Sequence, residues 1–84
     1  MALFAQVTGK VVEQVIVISN DDCNNLPFPD SEPVGQSYIA SLGLAGDWFQ
    51  TSYTGAFRGR YAGLGYSFDP TLGEYGEFVP PIIP

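Results

Sequence analysis

Val and Ile dominate "KVVEQVIVIS", from Lys10 to Ser19. β-branched residues suit a pleated, half-buried surface, so this run predicts a strand. Val11, Glu13, Val15, Val17 and Ser19 fall on one face of it and Val12, Gln14, Ile16 and Ile18 on the other, so both faces become apolar toward the C-terminal end. That pattern suits a strand covered on both sides, or covered by a helix on one side and by a neighbouring molecule on the other. The next stretch, from Asn20 to Pro33, is dense in Asn, Asp and Pro and reads as a loop whose prolines hold the preceding residues extended.

A short helix is predicted within "DSEPVGQSYIASLGLAG". Ser31 or Asp30 can accept from the free N–H groups of a first turn, Glu32 complements the positive end of the helix dipole, and Pro33 is tolerated there because its missing N–H has no partner within the helix. Val34, Tyr38, Ile39 and Leu42 then share an apolar face, and Gly43 or Gly46 can end the helix. So short a helix does not persist alone, so it must lie on the sheet.

Farther along, "DWFQTSY" and "RYAGLGYSFD" flank "TGAFRG", and both are rich in the rings and Thr that strands favour. They predict a hairpin in which Gly55 and Gly59 supply positive φ at the bend. Gly63 and Gly65 leave one face of its second strand nearly bare, which marks a close approach by a ring or another backbone. Trp48, Tyr66 and Phe68 are assigned to the core. Phe57, Arg58 and Arg60 sit at the bend, where side chains reach outward, and with Tyr61 they have the composition of an interface hot spot. The tail "GEFVPPIIP" is expected to be an extended, polyproline-like arm over residues 77–84, with Phe78, Val79, Ile82 and Ile83 as apolar docking groups, on a partner or on its own domain. The fold class is therefore α+β: a single domain, 1–84, with a small antiparallel sheet made of an N-terminal strand and a C-terminal hairpin, one short helix packed on it, and the Pro-rich arm.

Composition changes the picture in two ways. A chain of 84 residues buries only about 60% of its unfolded surface, and its stability is on the order of 4–12 kcal/mol. With one cysteine and no histidine, disulfides and structural metals are poor candidates for support, which leaves assembly with other protein. The net charge of −6 repels a phosphate backbone, so no nucleic-acid partner is expected. No membrane partner is expected either: "MALFAQVTGK" lacks a basic region before its apolar residues, and "VVEQVIVIS" is too short to span. Synthesis in the cytoplasm follows as the expectation, with Cys23 reduced.

Candidate chemistry is sparse. The absence of histidine removes the commonest general base and metal ligand, and Cys23 has no evident activating partner, so the chain is read as a non-enzyme with no catalytic residues, metal or cofactor. Asp21, Asp22, Asn24 and Asn25 offer oxygen ligands but lack the glycine and distal glutamate of a calcium loop, and read as a turn. Rings beside arginines could also stack on a sugar.

The span "SEPVGQSYIASLGLAGDWFQTSYTGAFRGRYAGLGYSFDPTLGEYGEFVPP" resembles small virion structural proteins of tailed double-stranded DNA phages of aquatic bacteria, cyanophages especially. In that family a "W-x-Q-T-S-Y" strand precedes "Y-A-G-I-G-Y-T-Y-D" and then a "D-A-F-I-P-P" element. The counterparts here are Trp48, Gln50, Thr51, Ser52 and Tyr53, then Tyr61 to Asp69, then Glu77 to Pro81. The resemblance implies a virion component without enzymatic activity. A small acidic domain with an apolar tail suits binding a preformed lattice in many copies. The expectation is therefore a decoration or cement protein on the outer capsid surface, contacting the major capsid protein and possible copies of itself through Arg58, Arg60 and the arm. The alternatives are a tail or tail-fibre accessory protein and a carbohydrate-binding module that contacts the host.

Overall fold

The computed structural model describes residues 2–52, 55, 57, 58 and 61–81. Its first strand, β1 (Ala2–Thr8), is one that the expectations above did not assign. Ala2, Leu3, Phe4 and Ala5 are all buried, so the strand covered on both faces is this one, not the Val-rich run that follows. Gly9 and Lys10 both adopt positive φ, as a two-residue hairpin turn requires, and lead into β2 (Val11–Ile18).

β1 and β2 pair antiparallel from Ala2↔Ile18 to Thr8↔Val11, with a register shift between Gln6 and Val7. Gln6 pairs with Gln14 and Val7 with Val12, so Glu13 is the extra residue of a bulge. The bulge corrects the simple alternation: Val12 turns to the same side as Val15 and is buried, whereas Val11 stays 42% exposed.

β3 (Asp47–Thr51) lies against the other side of β1, from Leu3↔Thr51 to Val7↔Asp47. β4 (Ser67–Asp69) joins β2 through Val11↔Ser67, and β5 (Glu77–Val79) pairs with β4. The result is a five-stranded antiparallel sheet in the order β3-β1-β2-β4-β5 with one helix packed on it, an α+β fold as expected. The hairpin is corrected, because its two expected arms, β3 and β4, are separated in the sheet by β1 and β2. Even so, Phe49 of β3 and Phe68 of β4 stack with centroids 4.4 Å apart. The sheet therefore curls until its ends approach.

The arm is corrected in part. Glu77–Val79 is a strand of the sheet, and Phe78 is only 1% exposed. Pro80 and Pro81 follow it, and Ile82 and Ile83 lie outside the described residues.

The helix α1 (Ser31–Ser41) starts after Asp30, whose side chain makes no capping bond, and ends as expected, with the Gly43 N–H donating to the Ala40 carbonyl at 3.0 Å. Its buried line is Ser31, Gly35 and Ile39, one residue per turn, while Leu42 is 53% exposed. Gly35 permits this contact: a Cβ there would lie 2.2 Å from the Phe4 ring. Phe4, Ile18, Cys23, Ile39 and Trp48 form the core under the helix. Ala5, Val7, Val12, Ala62, Phe68 and Phe78 form a second core on the other face, with Phe49 and Tyr66 packed against it.

Candidate partner-binding surface

Arg58 is the first of the expected contact residues to be corrected. It is buried, at 8% exposure, and does not reach outward. Its guanidinium forms a forked pair with Glu32 of α1: Nη2 donates to Oε1 at 2.9 Å and Nη1 donates to Oε2. Nη1 also donates to the Gln50 carbonyl at 2.9 Å, and Nε to the Tyr75 carbonyl at 3.1 Å. The guanidinium carbon lies 5.1, 5.3 and 5.6 Å from the ring centres of Phe28, Phe68 and Phe49, close enough for each ring face to favour the cation. Planar geometry and several donors make Arg the residue for such a site.

These bonds also close the sheet. On the outer edge of β3 the Trp48 carbonyl accepts from Gln36 Nε2 at 2.6 Å, and the Gln50 N–H donates to Glu32 Oε2 at 2.8 Å. On the outer edge of β5 the Phe78 N–H donates to the Arg58 carbonyl at 3.3 Å. Arg58 thus holds β5 through its backbone and β3 through its side chain, bridging the seam of the curled sheet. Edge groups that are occupied in this way do not template a further strand.

The other expected contact residues divide. Phe57 stacks on Phe28 at 3.9 Å between centroids, with only 5° between the ring planes. Phe78 belongs to the core, which corrects its place as a docking group, and Val79 is half-buried in β5. Arg60, Ile82 and Ile83 lie outside the described residues. Tyr61 is half-buried and lines a groove of about 400 Å³ with Glu13, Gln14, Val15, Gly63 and Leu64. The close approach expected at Gly63 is made by the Tyr66 ring, 2.7 Å from where a Cβ would stand. Leu64, expected on the apolar strand face of Ala62, Tyr66 and Phe68, instead sits in the turn that follows and is 68% exposed. Its position beside two glycines in a turn was the available signal.

With Arg58 and Glu32 neutralising one another inside, eight of the nine acidic residues remain against Lys10 and Arg60 alone. Among the described residues no group of three or more Cys, Asp or Glu is placed to hold a metal ion. Asp21 is instead engaged locally, its N–H donating to Ser19 Oγ and its Oδ1 accepting from Asn25 Nδ2 at 3.0 Å. Among those residues, too, no helix is long and apolar enough to cross a membrane. Asp69 accepts from both the N–H and the hydroxyl of Thr71, bonds that hold its carboxyl below the usual carboxylate range. Burial pushes the Cys23 thiol up, and Asp22 adds to the shift. Comparison of the chain with protein-family models, with curated proteins and with solved structures finds no match of any of the three kinds.

Proposed function

We propose that this chain is a virion component that binds the major capsid protein on the outer surface of a tailed phage's head, in many copies, to decorate and stabilise the capsid. The reading rests on the resemblance of its Trp48–Tyr53, Tyr61–Asp69 and Glu77–Pro81 segments to small virion proteins, together with the character of its surface. The observation that carries it is the groove beside Leu64: a side chain 68% exposed, with Tyr61 and Val15 next to it, on a protein whose outward charge is acidic. An exposed apolar group with acidic surroundings suits a protein surface that is apolar and basic. It does not suit packaged DNA, which the charge would repel. Each contact is small, and repetition over a lattice supplies the avidity.

The test is co-sedimentation of the purified protein with heads that lack it. The reading predicts saturable binding that weakens as salt is raised, and loss of binding in Leu64→Asp. That variant should unfold normally, because exposed substitutions usually change stability by only about 0.5 kcal/mol. Failure to bind heads, or undiminished binding by Leu64→Asp, refutes the reading. Binding confined to tails would place the chain there instead.

A further inference from the structure

An apolar groove of about 270 Å³ opens where the β1–β2 turn meets the starts of β3 and the end of β4, lined by Val7, Phe49, Phe68 and Pro70 and by the charged Lys10 and Asp47. The stacked Phe49 and Phe68 rings give it an aromatic wall. A second groove, of about 250 Å³, adjoins it through Lys10, Phe68 and Pro70, and Val79 lines that one. Immediately after Val79 the chain reads Pro80-Pro81-Ile82-Ile83-Pro84, with prolines at the P-x-x-P spacing of positions 81 and 84. Segments of this kind dock in aromatic-lined grooves because their extended helix is largely formed beforehand and little entropy is lost on binding.

We propose that this groove receives the Pro80–Pro84 segment of a second copy of the chain, so that copies associate head to tail. Strand direction selects a second copy over the chain itself. β5 runs antiparallel to β4, with Glu77 beside Asp69 and Val79 beside Ser67. Pro70, which follows Asp69, is therefore at the end of the pair that β5 has already left. The chain departs from Val79 heading away from Pro70, and the fixed φ of Pro80 and Pro81 favours continuing that way over a tight reversal. Tail into groove is a contact between unlike surfaces, which closes into a ring or continues as an open array. The inference concerns the protein alone and does not depend on capsid binding.

Sedimentation of the full chain over a concentration series tests it, beside a variant lacking Pro80–Pro84 and the full-length double variant Ile82→Asp/Ile83→Asp. The full chain should self-associate, and both changes should raise the midpoint concentration by at least about tenfold. A synthetic peptide of residues 77–84, added to the shortened variant, should shift the amide resonances of Val7, Gly9, Lys10, Phe49 and Phe68. A full chain that stays monomeric overturns the proposal, as does association that neither change affects, or a peptide that perturbs residues elsewhere. The same amides shifting on truncation of a monomeric chain would mean that the segment fills its own groove, which also overturns it.

Discussion

Arg58→Ala removes the group that joins α1, β3 and the chain around Tyr75. The pair it breaks is well buried, with the Arg58 side chain 5% exposed and Glu32 17% exposed. The variant leaves the Glu32 carboxylate with the Gln50 N–H and deprives the Gln50 and Tyr75 carbonyls of a donor. Breaking a buried ion pair costs about 3–5 kcal/mol. Residual solvent at Glu32 favours the lower figure, about 3 kcal/mol, which is a quarter or more of the roughly 4–12 kcal/mol expected for a chain of this length. Urea unfolding followed by the fluorescence of buried Trp48 measures the loss. With a slope of about 1 kcal/mol per molar for so small a protein, the midpoint should fall by about 3 M. Arg58→Lys, which keeps the charge without the planar fork, should fall in between. Replacing both partners by apolar residues of similar size, Glu32→Leu with Arg58→Met, should recover only part of the loss: no uncompensated charge is left, but the Gln50 N–H and the Gln50 and Tyr75 carbonyls still lose their partners. A loss below about 1 kcal/mol in Arg58→Ala is the value of an exposed pair and would refute the internal bridge.

Three further outcomes follow from the same packing. Gly35→Ala should destabilise by up to about 2 kcal/mol in thermal unfolding, an overpacking cost of about 1–3 kcal/mol against Phe4 less a helix-propensity gain of about 1 kcal/mol. Ser31→Ala removes the hydroxyl that donates to Gln50 Oε1 at 2.6 Å in a buried position, and unfolding should show a loss of about 1–3 kcal/mol. Cys23 should resist aromatic disulfide reagents until the chain is denatured. Its thiol titrates higher when folded than when unfolded, so its contribution is complete below about pH 8.5 and stability should decline as pH rises beyond that; a thiol that reacts at once in the native protein would contradict its burial.

The helix was legible because residue types mark both of its ends, Pro33 near the start and Gly43 just past the last turn, although Asp30 makes no capping bond and Ser31 and Glu32 bond to Gln50 and Arg58 instead. The core roles of Trp48 and Phe68, and the ring over Gly63, were likewise carried by residue type and spacing. What was missed depends on partners far apart in the chain. β1 escaped because "ALFAQVT" is apolar on both faces and shows no clean alternation, although that is itself the mark of a doubly covered strand. Neighbouring strand-like runs suggested a hairpin, yet β3 pairs with β1, forty or more residues earlier, and nothing local encodes that choice. Arg58 read as a surface group because arginines in Gly-rich bends usually are; its partner Glu32 lies 26 residues away and had been explained as a helix-end charge. Arg58 accounts for the closed sheet edges, whereas the acidic exterior follows from the excess of carboxylates in the sequence.

The central claim is that this small acidic domain is a repeated component of a phage head, and counting it tests that claim most directly. Quantitative mass spectrometry of purified particles, with the major capsid protein as internal standard, gives the ratio of the two chains. The account predicts a fixed, substantial fraction of the capsid protein's copy number, and a ratio of only a few copies per particle, or none, would contradict it.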